Sequence, residues 1–229
     1  MHHPRILIVD DELAIIKFLR ANLEAKGFET LAAMDGIEAL QTTKRELPDL
    51  VILDIMMPKM DGFEVCRQFR EWTQIPIIML SAQGDEANKV KCLSLGADDY
   101  ITKPFGASEL IARVRAVLRR TEAAGTIPAQ TSFTSGDLQI NFAQRRVTIA
   151  DKEVKLTPTE YSLLQEFVLN TGNVLTHACL LNKVWGLEYR EEREYLHVFV
   201  RRLRAKLESD PTNPKYIITV PGVGYQFKG

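Results

Sequence analysis

Five short runs rich in Val, Ile and Leu, separated by amphipathic stretches, constrain this chain more than any other feature. They are RILIVD (5–10), FETLAA (28–33), DLVILD (49–54), PIIML (76–80) and DYIT (99–102). Helical patterns lie between and after them, near 12–26, 36–45, 61–71, 85–95 and 107–120. A strand that is apolar at successive positions has no face to give to water. It must be buried on both sides, in a parallel sheet wrapped by helices.

Five strand–helix units in about 120 residues predict an α/β, flavodoxin-like, doubly wound domain with a five-stranded parallel sheet in the order 2-1-3-4-5. Ligands of such folds sit at the carboxyl ends of the strands. TEAAGTIPAQTS (121–132) has no periodicity and almost no charge, so it reads as a linker. From 133 the pattern changes to short alternating strands, two or three helices, and YIITVPGVGYQF, two strands around a Gly-Val-Gly turn. The expected organisation is an α/β domain over 1–120, a linker over 121–132 and an α+β domain over 133–229.

Bulk properties fit a cytoplasmic protein. No apolar run approaches the roughly 20 residues that cross a bilayer, and MHHPRILIVDDE lacks the apolar stretch of a secretory signal. Cys66, Cys92 and Cys179 are odd in number and far apart, as expected of reduced thiols. The net charge of −1 divides unevenly: residues 1–132 carry 16 basic and 19 acidic side chains, and residues 133–229 carry 13 and 11.

The ends of the apolar strands carry the chemistry. The first ends at Asp10-Asp11, the third at Asp54, the fourth at Ser81 and the fifth at Lys103-Pro104. Singly each has an ordinary explanation: a turn aspartate, a helix cap, a solvated lysine. Together they place three carboxylates on one edge, where a pair about 4 Å apart repels by about 4 kcal/mol at an effective dielectric near 20. Such a cluster calls for a cation. Oxygen donors suit a hard ion, Mg²⁺ before Ca²⁺.

IVDDE, VILDIMMPKMDG, MLSA and GADDYITKPF resemble the receiver domain of two-component response regulators, over roughly residues 4–120. The resemblance implies that Asp54 accepts a phosphoryl group from a sensor histidine kinase. It implies Mg²⁺, or Mn²⁺, held by Asp11, Asp54 and the Met56 carbonyl, with Asp10 acting through water. Lys103 and Ser81 would meet the phosphoryl oxygens, Pro104 would follow a cis peptide bond, and Ser81 and Tyr100 would act as the switch pair. Tyr100 also reads simply as a half-buried strand aromatic. Met56 and Gln83 would flank the approach of an attacking water. Beyond its own phosphoryl transfer and slow dephosphorylation, no enzyme activity is expected.

The fourth helix, fifth strand and fifth helix are expected to form a homodimer face when phosphorylated. Val90, Leu93 and Ile111 would make an apolar patch, ringed by Lys89, Asp98, Asp99, Glu109 and Arg113. This expectation is what a resemblance to the OmpR/PhoB family implies, since that family makes a symmetric dimer through this face with pairs resembling Lys89–Glu109 and Asp98 or Asp99–Arg113.

In REYLHVFVRRLRAKLE (193–208), Leu196, Val200, Leu203 and Leu207 form an apolar stripe. A short helix precedes it and a hairpin follows, the layout of a winged helix-turn-helix. With LTPTEYSLLQEFVLNTGNVLT, KVWG and GVGYQF, residues 133–228 resemble the OmpR/PhoB output domain. On that resemblance Val198 and Arg202 would read bases in promoter DNA. Tyr195, Arg201, Arg204, Trp185 and Tyr225 would complete the contacts, mainly to phosphate. The acidic loop 186–192 would touch RNA polymerase. Pro221 and Gln226 stand where the family's wing often carries arginine. The recognition helix and the C-terminal segment are most similar to the KdpE-like subgroup, which controls potassium-transport genes.

Other classes fit less well. An aspartyl phosphohydrolase often shows Asp-x-Asp, whereas here Asp54 is followed by Ile and Met. No Gly-x-x-x-x-Gly-Lys occurs, and Gly222-Val-Gly224 lies in a hairpin, so both nucleotide fingerprints fail. A dimer that binds DNA without phosphorylation would leave the acidic site without a use.

Overall fold

A computed structural model describes residues 3–82, 86–122 and 132–229. The chain forms two compact units that divide between Leu118 and Arg119. Most of the expected linker, 123–131, and Gln83 lie outside the described residues.

The first unit contains β1 (Arg5–Val9), α1 (Leu13–Glu24), β2 (Glu29–Ala33), α2 (Gly36–Glu46), β3 (Leu50–Asp54), α3 (Gly62–Trp72), β4 (Ile77–Ala82), α4 (Glu86–Leu95), β5 (Asp99–Lys103) and, as far as Leu118, α5 (Ala107–Glu122). The sheet is parallel and ordered β2-β1-β3-β4-β5, as the runs of Val, Ile and Leu predict. Alternate side chains go to opposite layers. Ile6, Ile8, Leu50 and Ile52 join the cluster containing Leu19, Leu110 and Val114; Leu7, Val9, Val51 and Leu53 join that of Val65, Cys66 and Phe69. Both faces of the central strands are dry, which is why no polar alternation shows in their sequence.

Local chemistry starts two of the helices. Asp35 and Asp61 accept from the backbone N–H groups of Glu38 and Glu64, capping α2 and α3. At the start of α3 the backbone folds back under β3. Ile55 N–H donates to Leu80 O at 3.1 Å and Gly62 N–H to Ile55 O at 3.0 Å. A Cβ on Gly62 would collide with the Asp54 carbonyl oxygen. Glycine is required there by space, not by dihedral.

The second unit opens with an antiparallel sheet: β6 (Ser132–Ser135), β7 (Leu138–Asn141), β8 (Arg146–Ile149) and β9 (Lys152–Glu153). Then come α6 (Pro158–Leu169), β10 (Val174–Thr176), α7 (His177–Val184), a 3₁₀ turn (Leu187–Tyr189), α8 (Arg193–Leu207), β11 (Ile217–Val220) and β12 (Gly224–Phe227). The expected terminal hairpin is the β11–β12 pair of a three-stranded sheet, because β10 pairs with β12. The three residues of β10 are too few to read as a strand from sequence. Among the described residues no helix is long and apolar enough to cross a membrane.

At Gly62→Ala, overpacking against the Asp54 carbonyl costs up to about 3 kcal/mol and alanine returns roughly 1 kcal/mol in a helix, so the variant is expected to lose up to about 2 kcal/mol of stability. Urea unfolding measures it, and an unchanged midpoint would contradict the close approach at Asp54.

Candidate functional site

The strand ends of the first unit bring their polar residues together. Asp54 and Leu80 are register partners, as are Ser81 with Thr102 and Ala82 with Lys103. Asp10 is fully buried and Asp54 nearly so. Lys103 Nζ lies 2.9 Å from Asp10 Oδ2 and 2.6 Å from Asp54 Oδ1, bridging the two carboxylates. The remaining oxygens are also used: Asp10 Oδ1 accepts from Glu12 N–H at 2.9 Å, and Asp54 Oδ2 from Met56 N–H at 2.7 Å. The Lys103–Pro104 peptide is cis. Ser81 is buried, its hydroxyl donating to Ala82 O at 3.3 Å. Asp11 is exposed beside this pocket.

Burial works against the charge on Lys103, but the hydrogen bonds and charges of Asp54 and Asp10 outweigh it and raise its pKa. Asp54 is also pushed up, first by burial and further by Asp10, against the pull of Lys103 and of Met56 N–H. The site therefore holds a fixed ammonium beside a carboxylate that is poorly solvated.

Among the described residues, no three acidic, histidine or cysteine side chains are already drawn together to enclose a metal. The donor chemistry still fits a hard divalent ion: two buried carboxylates and an exposed third, all oxygen, on an edge open at Met56, which is 73% exposed.

Tyr100 is half-buried; its hydroxyl accepts from Thr102 Oγ1 at 3.2 Å, and Lys89 Nζ lies 5.3 Å from its ring centre. The expected dimer patch differs from its sequence reading. Leu93 and Ile111 are core residues and Val90 is half-buried, so no open apolar patch forms from the three. Asp98 is buried, accepting from Arg70 Nη2 and Ile77 N–H, both at 3.1 Å. Asp99 pairs with Arg113 of its own chain at 3.2 Å, and Arg113 also bonds Glu109 at 3.1 Å. The same carboxylates that would meet a second chain are satisfied within this one.

The second unit revises the reading of the recognition helix. Tyr195, Val198, Phe199 and Arg202 are buried along with Leu196, Val200, Leu203 and Leu207. Only a narrow side of α8 faces out, carrying Arg193, Glu194, His197, Arg201 and Ala205. Val198, 3% exposed, cannot meet a thymine methyl from this position. Arg202 turns inward: its Nε is 2.8 Å from Glu160 Oε1, and Lys206 Nζ takes the other oxygen at 2.6 Å. Glu160 is fully buried and also accepts from Thr157 N–H in the capping box of α6. Burial would raise its pKa; Arg202 and Lys206 more than offset this and hold it below the usual carboxylate range.

Trp185 and Tyr225 are core rings as well. Trp185 is fully buried against Phe199 and Tyr195, its indole N–H enclosed rather than presented to a phosphate. Tyr225, 6% exposed, lies edge-on to Phe167. Arg204 bonds Ile217 O and Thr219 Oγ1, fixing β11 to α8. Of the expected DNA contacts, Arg201 is the one fully on the exposed side. Arg193 and His197 share that side with Arg201, the three recurring every four residues. Tyr189 anchors the loop 186–192 against Tyr195, leaving Glu188 and Glu191 exposed.

Known proteins share both units. Residues 6–115 match the family described as response regulator receiver domain, and residues 151–227 match transcriptional regulatory protein, C terminal. The chain is 43% identical over 235 residues to "Probable transcriptional regulator ycf27" of Porphyridium aerugineum, covering 100% of this chain and 97% of the relative. It is 42% identical over 222 residues to "KDP operon transcriptional regulatory protein KdpE" of Escherichia coli K12, covering 97% and 98%. Among solved structures, that of a RitR mutant matches at 27% identity with a TM-score of 0.81, covering 99% of this chain and 100% of that one.

Arg202→Met should destabilise the second unit by about 3 kcal/mol. This is the lower end for stranding a buried charge, since Lys206 remains beside Glu160. Arg201→Met should stay within about 0.5 kcal/mol while weakening DNA binding; equal stability of both variants would contradict the inward placement of Arg202. Separately, the raised carboxyl of Asp54 means its ionised form costs stability. That cost is complete above its folded pKa and gone below the unfolded value near 3.9. Asp54→Asn should therefore unfold at higher urea than the parent near neutral pH, with the gap closing on acidification.

Proposed function

The chain belongs to the two-component response regulators with an OmpR/PhoB-type DNA-binding output domain, and from that premise we propose that phosphorylation of Asp54 by a sensor histidine kinase switches its binding to promoter DNA. The observation that carries this reading is the Lys103 ammonium bridging buried Asp10 and Asp54 at the carboxyl edge of the sheet.

In the proposed step an Asp54 carboxylate oxygen forms a bond to phosphorus as the N–P bond of the kinase phosphohistidine breaks and the imidazole leaves. Lys103, already 2.6 Å from the nucleophile, meets the charge on the phosphoryl oxygens. Ser81 holds its proton in a long 3.3 Å bond to Ala82 O and can turn it to the new group. The receiver family binds Mg²⁺ at its phosphorylation site. Here Asp11, Asp54 and the Met56 carbonyl would hold the ion, with Asp10 acting through water. Bound Mg²⁺ neutralises charge on the transferring group. Aside from this transfer and slow hydrolysis of the acyl phosphate, in which water takes the phosphoryl group and frees the Asp54 carboxylate, the chain is read as a non-enzyme.

The phosphorylated chain is proposed to dimerise through the α4–β5–α5 face. Lys89, Val90, Glu109 and Arg113 are the residues still able to reach a second copy, with the Asp99–Arg113 pair exchanging partners. The dimer would bind tandem half-sites in the cytoplasm, with the acidic loop 186–192 presented to RNA polymerase. A kdp-type operon is the proposed target, supported by the KdpE relatives.

The test combines two measurements. With Mg²⁺ and carbamoyl phosphate the chain should gain the mass of one phosphoryl group, and Asp54→Asn should not. Selection of duplexes from a random pool, with and without the donor, should yield paired half-sites bound more tightly by the labelled chain. Equal labelling of the variant, or DNA binding indifferent to the donor, would overturn the proposal.

A further inference from the structure

The exposed side of α8 carries a cluster that the function above leaves unused. His197 lies edge-on to His177, the first residue of α7, with ring centroids 5.8 Å apart and planes at 78°. The His177 ring also meets Tyr225 of β12 edge-on at 5.7 Å. Three elements of the winged helix thus bring two imidazoles to one place. His197 has 47% of its side chain exposed, and His177 is partly exposed.

The charges around the pair are mixed but lean positive. From α8, Arg193 acts on His177, and Glu194 Oε1 lies 3.8 Å from His197 Nδ1. Arg201 stands one turn further along the same exposed side. From β12, Tyr225 is kept neutral by burial, and Arg204 lies across its ring at 5.8 Å. On α7 itself, Lys183 is held by Glu166 of α6 at 2.8 Å, and Cys179 is partly buried with its N–H on Thr176 Oγ1. Burial, then His197, then Arg193 depress the pKa of His177, so its ring is neutral near pH 7.

An anion docked at this place would reverse that balance. Resting on the DNA-binding reading, we propose that His177, with the His197 ring packed against it, forms a proton-linked contact to the DNA backbone, in which docking of a duplex phosphate is accompanied by uptake of a proton. The pair lies on the side of α8 that faces out, next to Arg193 and Arg201, where a phosphate approaching the helix meets cationic partners. The proton comes from solvent, and no bond other than hydrogen bonds forms or breaks.

If the bound state holds one more proton, affinity is highest below the imidazole range and falls as pH rises through it, up to tenfold per unit. The experiment uses the unphosphorylated full-length chain and a mixed-sequence duplex at low salt. The dissociation constant should fall about tenfold between pH 7.5 and pH 6. His177→Gln and His197→Gln, which keep polar reach but remove one ring of the pair, should each flatten this to less than about threefold. Arg201→Gln should weaken binding at every pH and leave the slope unchanged. Thermal unfolding at both pH values checks that the histidine variants are folded. Wild-type slope in both histidine variants, or a pH-independent parent, would overturn the proposal while leaving DNA binding intact. Absence of binding at every pH would overturn the DNA-binding reading itself, and this proposal with it.

Discussion

The Lys103 ammonium between Asp10 and Asp54 is the contact on which the first unit's chemistry depends. Two carboxylates buried at neighbouring strand ends repel, and they stay together because a cation from a third strand lies 2.9 and 2.6 Å away. That arrangement is costly for a structure and useful for a reaction. Its cation is fixed between the two carboxylates, and its nucleophile is poorly solvated. The backbone contributes through Gly62, whose missing Cβ lets the segment after β3 pass against the Asp54 carbonyl. The sheet holds the charges and the loops supply the approach.

A second buried charge organises the other unit in a different way. Glu160 is enclosed, and it survives there because Arg202 and Lys206 of α8 and the N–H of Thr157 take its oxygens. The bonds pin α8 to the start of α6 and so set the rotation of α8 about its own axis. Rotation decides which side chains face out. A helix that puts Arg202 inward puts Arg193, His197 and Arg201 outward, since positions four apart share a side. Arg204, bonded to Ile217 O and Thr219 Oγ1, fixes the hairpin to the same helix. The exposed side and the hairpin are therefore placed by one set of buried or half-buried arginines.

Much of this was legible in the residues. The unbroken apolar runs of β1, β3 and β4 require two covered faces, and the polar residues at their ends require a shared edge. The strand order follows from the flavodoxin-like class that the five strand–helix units indicate. The recognition helix was harder. Leu196, Val200, Leu203 and Leu207 mark one buried stripe, but α8 is packed by α6, α7 and the hairpin, so its buried arc is wider than that stripe. Tyr195 and Phe199 are spent on Trp185, a ring whose burial no local pattern announces. Leu93 and Ile111 were likewise read as surface residues because a helix face alone does not say how far its neighbours reach.

The sequence by itself determined the fold class, because the period of the apolar runs is a local property, and it placed Asp10, Asp54, Ser81 and Lys103 at or next to strand ends. Only the tertiary structure decided which arginines face inward, which histidines meet and which aspartates are already paired. Those outcomes depend on partners far away in the chain: Arg202 on Glu160, His197 on His177, Asp98 on Arg70. A charged side chain carries the same letter whether it seeks water, DNA or a buried carboxylate, and packing alone selects among them.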